Sequence, residues 1–311
     1  MLTEWFNVID PAFRALVIPN VHVEQLYTGC RWAEGPAYFP AGRYLIWSDI
    51  PNDRMLRWDE NDGHVSIFRS PARNSNGNTV DTQGRLVTCE HRARAITRTE
   101  FDGTRTVLVD SYRGARLNSP NDIVVRSDST IWFTDPSYGI DSEYEGDAAP
   151  RETDGRYVYR FDPASGDLDV VTDAFKQPNG LAFSPDESEL YISDTGVTHV
   201  ENGPHHIRKF TVSDDGQSLA GGAVFATCEP GFFDGFRVDV HGNIWTSAGD
   251  GVHAYAPDGN LLGKILIPEV VANVCFGGPK RNRLFITATT SVYAVYLNTQ
   301  GASRPEAGGA P

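Results

Sequence analysis

Short runs of alternating apolar and polar residues recur along the whole chain, and turn-forming residues separate them. In the clearest copy an apolar run follows Asn179, a turn occupies residues 184–186, and a second apolar run ends at Asp194. A period of two in segments rich in β-branched and aromatic residues is typical of β-strands. The pattern therefore predicts a succession of β-hairpins.

The same two-strand pattern occurs six times, and a third strand and usually a fourth follow each copy. The second strands are YLIWSD (44–49), RLVTCE (85–90), TIWFTD (130–135), ELYISD (189–194), NIWTSA (243–248) and RLFITA (283–288). Repeats of this size indicate solenoids, propellers or arrays, and four antiparallel strands per repeat are typical of a propeller blade. The sequence therefore predicts an all-β fold, a six-bladed β-propeller with four antiparallel strands in each blade.

The two ends of the chain are expected to complete this propeller. The sixth repeat has only three clear strands before residue 299, whereas residues 21–27 alternate as a strand. We expect that N-terminal strand to become the fourth strand of blade six, because this closes the ring and removes open sheet edges. Residues 1–20 are predicted to form a strap, residues 21–299 a single propeller domain, and residues 300–311, rich in Gly, Ala and Pro, a disordered tail.

A polar residue opens the first strand of each repeat, and all six of these residues are Asn, Asp or Glu. They are Glu34, Asn76, Asn121, Asn179, Asp234 and Asn273. Since the first strand of a blade lines the central channel, they should form a ring at one end of it. Buried polar groups cost free energy unless they are paired, and one bound cation would pair them together. Their oxygen atoms favour a hard cation, first Ca²⁺, then Mg²⁺ or Mn²⁺, with Zn²⁺ as a further alternative.

Acidic residues also end the second strands of the first four repeats, on the same face as the ring. They are Asp49, Glu90, Asp135 and Asp194. His91 directly follows one of these strands, so we expect it to face the pocket, where it could orient a substrate or shuttle a proton. Two inserts, residues 137–154 and 196–204, leave from this face, and long loops often carry function. They are expected to wall the pocket or to be surface decoration.

Composition narrows the classes of partner. The formal net charge of −14 argues against nucleic acid or an anionic membrane, because both require a basic face on the protein. The first residues lack the basic and apolar stretches of a signal peptide, and no apolar run is long enough for a membrane span. The 4 cysteines are far apart, without C-x-x-C spacing, and are expected to be reduced and buried. These features predict a cytoplasmic protein, a monomer or weak homodimer.

Four motifs carry a resemblance to a known family. They are A-E-G-P at 33–36, S-P-N-D at 119–122, Q-P-N-G-L at 177–181 and F-D-G-F-R-V-D at 233–239. In this order they resemble the motifs of the SMP-30/gluconolactonase/LRE-like family, over the chain from about Tyr27 to Leu297. C-E-H at 89–91 and T-D-P at 134–136 resemble its bacterial gluconolactonase branch. The regucalcin-type branch has an arginine at the position of Ser119.

The resemblance implies a six-bladed propeller with one catalytic divalent metal ion. By the matching motifs, Glu34, Asn179 and Asp234 would bind the metal, and Asp234 would also be the general base. Asn121 would contact the metal or the substrate. The other candidates for substrate contact lie on the same face and are Asn76, His91, Asp135 and Asp194.

Lactone hydrolysis suits this set of residues. A divalent ion can polarise the carbonyl and activate water, and a neighbouring carboxylate can take the proton. No G-x-S-x-G motif indicates a serine nucleophile. We therefore predict a hydrolase acting on carboxylic ester bonds, specifically a gluconolactonase that opens a small sugar 1,5-lactone. The alternatives are hydrolysis of phosphotriesters or non-sugar lactones on the same metal and, in another class, a non-catalytic propeller that binds calcium or a partner.

Overall fold

Antiparallel sheets make up nearly all of the structure, a computed structural model that describes residues 3–303. The N-terminal segment contains β1 Phe6–Val8, helix α1 Phe13–Leu16 and β2 Glu24–Thr28. Blade one contains β3 Ala33–Phe39, β4 Tyr44–Asp49, β5 Arg54–Asp59 and β6 Val65–Arg69. Blade two contains β7 Ser75–Val80, β8 Leu86–Glu90, β9 Ala95–Thr99 and β10 Arg105–Val109. A short ribbon follows, formed by β11 Ser111–Tyr112 and β12 Ala115–Arg116.

The remaining four blades follow in chain order. Blade three contains β13 Ile123–Val125, β14 Ile131–Thr134, helix α2 Tyr138–Asp141, β15 Val158–Phe161 and β16 Leu168–Thr172. Blade four contains β17 Pro178–Phe183, β18 Glu189–Asp194, β19 His206–Val212 and β20 Leu219–Thr227. Blade five contains β21 Phe236–Val238, β22 Ile244–Ala248, β23 Gly251–Tyr255 and β24 Leu261–Leu266. Blade six contains β25 Val271–Gly277, β26 Arg283–Ala288 and β27 Ser291–Tyr296.

The first strands of the blades surround a central channel. Within each blade the strands pair antiparallel and in chain order, from the first strand outward. The first strands also contact one another around the ring, in the order β3, β7, β13, β17, β21, β25 and back to β3. The ring is therefore closed, and the predicted six-bladed, all-β propeller is confirmed for residues 3–303.

The N-terminal segment binds two blades. Strand β2 pairs with β27, with Gln25 opposite Tyr293, and so becomes the fourth strand of blade six as predicted, at residues 24–28 rather than 21–27. Strand β1 was not predicted, and it adds a fifth strand to blade five by pairing with β24. Phe13 of α1 is fully buried against Trp245. This part of the predicted strap thus packs along the outer edge of blade five.

At the other end of the chain, Gly301 forms a β-bridge with Asp239 of blade five. The rest of the predicted tail, residues 304–311, lies outside the described residues. Between residues 3 and 303, the helices α1 and α2 have 4 residues each, and no helix is long and apolar enough to cross a membrane.

Aromatic pairs fill the space between neighbouring blades. Trp132 of blade three packs edge-on against Phe183 of blade four, with ring centroids 5.3 Å apart. Trp245 of blade five meets Phe276 of blade six in the same way at 6.4 Å. Both tryptophans are fully buried, and so is Trp47 at the corresponding place in blade one. Such pairs contribute about 0.5–1.5 kcal/mol beyond their buried area, so they help to fix the positions of the blades around the channel.

Candidate active site

Irregular strand pairing positions the polar residues at the channel end. In β3 the register shifts between Glu34 and Ala37, and in β17 it shifts between Pro178 and Leu181, around Asn179. Strands β7 and β25 shift at the corresponding places. A β-bulge leaves a residue outside the ladder and bends the strand, so it re-aims that residue's side chain. In these four blades the ladder is thus interrupted close to the polar residue, whereas Asn121 and Asp234 precede β13 and β21, whose ladders are regular.

A glycine follows the polar residue in four of the blades, and each one touches the next blade of the ring. A Cβ atom on Gly180 would lie 2.2 Å from the Asp234 carbonyl oxygen, and one on Gly77 would lie 2.3 Å from the Asn121 carbonyl oxygen. The Gly180 N–H also donates to that Asp234 carbonyl, at 3.2 Å. Only glycine allows backbones to approach so closely, so these glycines bring the polar residues together.

A cavity of 130 Å³ lies where the polar residues meet. Five of the six residues that open the repeats line it, namely Glu34, Asn76, Asn121, Asn179 and Asp234. The sixth, Asn273, donates from Nδ2 to Glu34 Oε2 at 3.1 Å. The structure therefore brings the three predicted metal ligands to one cavity, together with Asn76 and Asn121.

Two buried carboxylates dominate the electrostatics of this cavity. Burial raises the pKa of Glu34 to about 8, and the charge of Asp122 adds to the shift. Burial also raises the pKa of Asp234 well above its ordinary value, with the charge of Glu34 as the next cause, while a hydrogen bond from Asn179 opposes the shift. No Lys or Arg forms an ion pair with either carboxylate among residues 3–303. The ionised forms of Glu34 and Asp234 are therefore unfavourable unless a cation binds beside them.

His91 is buried directly behind the cavity. Its Nε2 lies 3.2 Å from Asn76 Nδ2, and its Nδ1 lies 3.1 Å from the Glu145 carbonyl oxygen. Burial lowers the pKa of His91 to about 4, so the ring is neutral at physiological pH. A neutral ring that donates from Nδ1 to the carbonyl accepts from Asn76 at Nε2. His91 therefore orients Asn76 from behind and does not line the cavity itself.

This arrangement leaves one oxygen without a partner. Asn76 Oδ1 is buried and accepts no hydrogen bond from any described residue. Buried polar atoms are nearly always paired in native proteins, so an unpaired amide oxygen at a cavity points to a ligand. A cation or a substrate hydroxyl would satisfy it.

Both inserts wall the cavity, which is the first of the two alternatives that the sequence left open. Tyr138 and Glu145 of the first insert and Thr198 of the second line it. The Tyr138 hydroxyl bonds with Thr195 Oγ1 at 2.6 Å and with Thr198 Oγ1 at 2.8 Å, which ties the two inserts together. Ser119, where the regucalcin-type branch has an arginine, accepts from the Gly139 N–H at 3.0 Å and thereby anchors the first insert.

Apolar side chains complete the wall. Trp32 and Phe232 line the cavity. Phe233 and Phe236, which also flank Asp234 in the sequence, are instead fully buried in the core between blades. Of this group, only Phe232 faces the site.

The outer acidic residues do not line the cavity. Asp194 accepts the N–H groups of Lys176, Gln177 and Gly196, and so fixes the turn that precedes Asn179. Asp135 is buried and accepts the N–H of Asn118 at 2.8 Å, and burial raises its pKa to about 7.

The other two outer acids form ion pairs within their own blades. Asp49 accepts from Arg54, and Glu90 from Arg105. The geometry gives all four acids a structural role, while substrate contact by Asp135 and Asp194 stays a prediction.

Glu145 is the charged site residue that the sequence pattern did not reveal. It lies in the first insert, outside the repeat, so no periodic position marks it. Its carboxyl group is the third in the cavity, and burial, with the charge of Asp141 adding, raises its pKa to about 7. A run of acids in a long insert was the only signal for it.

The donor set suits a hard divalent cation. Although three carboxyl groups line the cavity, no three His, Cys, Asp or Glu side chains among residues 3–303 are grouped so that they could hold a metal by themselves. A metal in this cavity would therefore bind two carboxylates, Glu34 and Asp234, together with amide oxygens such as that of Asn179. This oxygen-only combination is typical of Ca²⁺ and Mg²⁺ sites, and two carboxylates would balance the charge of the ion.

Comparisons with known proteins agree with this architecture. The family model described as SMP-30/Gluconolactonase/LRE-like region matches residues 32–290. A gluconolactonase of Zymomonas mobilis is 32% identical over 315 residues, covering 94% of this chain and 86% of that protein. A pentonolactonase of Haloferax volcanii is 28% identical, covering 84% and 82%. The solved structure of a gluconolactonase from Xanthomonas campestris is 40% identical, with a TM-score of 0.88 and coverage of 94% and 95%.

Proposed function

Because the chain belongs to the SMP-30/gluconolactonase/LRE-like family, we propose that it is a lactonase, a hydrolase of carboxylic ester bonds that opens a sugar 1,5-lactone to its acid. The gluconolactonases of Zymomonas mobilis and Xanthomonas campestris support the substrate class, since both align over most of their length. The pentonolactonase supports sugar lactones more broadly.

One observation carries the proposal. Glu34 and Asp234 are both buried at one small cavity with raised pKa values, and neither forms an ion pair with Lys or Arg in the described chain. A purely structural channel would not place two uncompensated carboxylates together, because their desolvation and mutual repulsion destabilise the fold. Their presence is explained if a divalent cation, Ca²⁺ first, is held by Glu34, Asn179 and Asp234.

The residues around the cavity have distinct roles in this mechanism. When bound, a divalent ion polarises the lactone carbonyl and lowers the pKa of water. Asp234 accepts the proton from the attacking water and returns one to the ring oxygen that leaves, which completes the hydrolysis. Asn121 and Asn76 offer amide groups to the sugar hydroxyls, and His91 keeps Asn76 in place. Trp32, Phe232 and the two inserts exclude bulk water.

The test combines metal content with a substrate panel. The purified protein should contain, or bind in equal ratio, one divalent ion, and it should hydrolyse glucono-1,5-lactone. Activity should disappear with chelator and return with Ca²⁺, Mg²⁺, Mn²⁺ or Zn²⁺ in an order that the panel establishes.

Three other results would contradict the proposal. Hydrolysis only of a phosphotriester or of a non-sugar lactone would leave the metal site but overturn the substrate class. Metal binding without hydrolysis of any ester would indicate a calcium-binding propeller. Hydrolysis of the sugar lactone that chelator does not affect would overturn the metal-dependent mechanism.

A further inference from the structure

A second and larger cavity lies at the opposite end of the central channel. Its volume is 460 Å³, and the first strands of all six blades contribute to its wall. The wall is largely apolar, with Val80, Val125, Phe183, Val238 and Phe276 among its residues. This volume lies within the range of pockets that hold small organic molecules. The proposed lactonase reaction does not use this cavity.

Two arginines in this wall have unused hydrogen-bond donors. Arg237 Nη1 donates to the Phe236 carbonyl at 2.7 Å and to Asp122 Oδ2 at 3.4 Å, which makes an ion pair with a buried carboxylate. Arg281 donates from Nη2 to the Ala302 carbonyl. The other N–H groups of both guanidinium groups have no partner among residues 3–303.

No carboxylate in the wall is available for these donors. Glu187 lines the cavity, but its oxygens accept the N–H of Ser127 at 2.9 Å and the hydroxyl of the same residue at 2.5 Å. Arg126 lies 3.5 Å from Glu187 as well. The Arg237 charge is partly compensated by Asp122, whereas Arg281 forms no ion pair among residues 3–303. In a chain with a net charge of −14, an apolar cavity lined by two arginines with unused donors is a local exception, and it favours an anion.

We propose that this cavity binds a small organic carboxylate with an apolar body. Guanidinium groups pair with carboxylates through parallel hydrogen bonds, and the free edges of Arg237 and Arg281 offer such donors. The valine and phenylalanine side chains would contact the apolar body, whose burial adds affinity. The site is separate from the acidic cavity and is independent of the proposed reaction.

The first experiment compares a charged probe with a neutral probe of the same shape. Fluorine NMR titration of the full chain with 4-fluorobenzoate should show saturable binding. The neutral 4-fluorobenzamide should bind about tenfold more weakly or worse, because it forms no charge-assisted pair. Equal affinity for the two probes, or no saturable binding of the benzoate, would overturn the proposal.

A matched pair of variants tests whether the probe binds in this cavity. Thr79 lies in the wall and is partly exposed, so T79E and T79Q add side chains of equal size that differ only in charge. T79E should bind 4-fluorobenzoate at least about tenfold more weakly than T79Q, while both bind the benzamide alike. R281Q, on blade six, should weaken benzoate binding independently. Equal benzoate affinity in T79E and T79Q would show that the probe binds elsewhere and would overturn the proposal.

Two further binding experiments distinguish the possible ligands of this cavity. If gluconate binds more tightly than 4-fluorobenzoate and T79E abolishes that binding, the cavity binds a polar sugar acid. This result would overturn the proposal that the ligand has an apolar body. The second experiment compares the full chain with a chain shortened to end at Ser303. If the shortened chain binds the benzoate and the full chain does not, the removed residues compete for the cavity, and the proposal of a free ligand fails. Benzoate binding by the full chain, stronger than that of gluconate, supports it.

Discussion

The backbone of Asp234 is held firmly, whereas its carboxylate remains available. Its N–H donates to Ser247 Oγ at 2.8 Å, and its carbonyl accepts from Ser193 Oγ at 2.9 Å. Only Asn179 donates to the side chain among described residues. A residue fixed in this way can present one carboxylate oxygen to a metal and the other to a water molecule without losing its position.

We expect Asp234→Asn to abolish most of the activity even when metal is bound. The amide keeps the shape and one oxygen ligand, but it cannot accept a proton, and loss of a general base costs roughly 10²–10⁴-fold in rate. The measurement is kcat on the best lactone at saturating metal, with occupancy confirmed by elemental analysis. A fully metallated variant with wild-type kcat would move the base role to another carboxylate, with Glu145 the first candidate.

Glu34→Gln should weaken metal binding, since it removes one of the two charges that compensate the ion. We expect a loss of roughly 100-fold or more in affinity, because ligand charge tunes Ca²⁺ affinity over several orders of magnitude. Calorimetric titration measures it, and Glu145→Gln is the matched control, a cavity carboxylate outside the predicted ligand set. Equal losses in the two variants would show that general charge, not ligation by Glu34, holds the metal.

At the residue scale, the repeat predicted which polar side chains would meet at the channel end, and five of the six line the cavity. Glu34, Asn179 and Asp234 occupy equivalent positions, so their convergence follows from the propeller itself. Glu145 reaches the same cavity through the path of an insert, which no period describes. Asp135 and Asp194 were expected in the pocket because they end strands on the correct face. Backbone N–H groups of the adjacent turns bind both oxygens of Asp194 and one oxygen of Asp135, whose Oδ1 has no hydrogen-bond partner among the described residues.

Individual elements set the width of the ring. Bulges in four of the first strands lie beside the polar residues, and the glycines that follow four of these residues allow neighbouring blades to touch. These two features act together, since a re-aimed side chain reaches a shared ligand only if the strands lie close enough to one another.

Gly180→Ala tests this spacing. The new methyl group would meet the Asp234 carbonyl, which cannot move without shifting blade five, so we expect a loss of roughly 1–3 kcal/mol in unfolding free energy and weaker metal binding. Gly42→Ala is the control, because its methyl group would meet only the movable ring of Tyr44. Urea unfolding and metal titration provide the two readouts. Unchanged metal affinity in the Gly180 variant would show that the ring tolerates a wider spacing.

The strands themselves were largely predictable, because alternation and turn residues are local signals. Strand β1 was missed since it has 3 residues, and its pairing with β24 depends on a partner more than 250 positions away. The N-terminal strand of blade six was found only because the sixth repeat lacked one. The sequence therefore predicts pairing between distant strands when an incomplete repeat requires a missing strand. It does not predict such pairing when every repeat is already complete.

At the scale of the whole molecule, the acidic cavity should make the stability of the metal-free protein depend on pH. Burial raises the pKa of Glu34 from 4.5 to about 8, so the folded state holds a proton that the unfolded state releases. The contribution of this group to stability is complete below about pH 4.5 and is lost as the pH rises to about 8.

We therefore expect the metal-free wild type to lose stability relative to Glu34→Gln between about pH 5 and about pH 8. Each kcal/mol lost should lower Tm by roughly 2–4 °C in a large domain. Thermal unfolding of both proteins in chelator measures the difference, and added Ca²⁺ should restore the wild type alone. Parallel pH profiles for the two proteins would mean that Glu34 is not buried in an uncompensated state.

Blade six is assembled from both ends of the chain, and this determines when the acidic cavity can form. Gln25 pairs with Tyr293, and Asn273 donates to Glu34, so these contacts join residues that lie 268 and 239 positions apart in the sequence. Loop-closure entropy rises with loop length, and folds rich in distant pairings form slowly. Until blade six is added, blades one to five would form an open arc in which Leu45 and Trp47 of blade one lack their packing partners from blade six, such as Phe285. We therefore expect the acidic cavity, in which Asn273 donates to Glu34, to reach its final form only when blade six closes the ring.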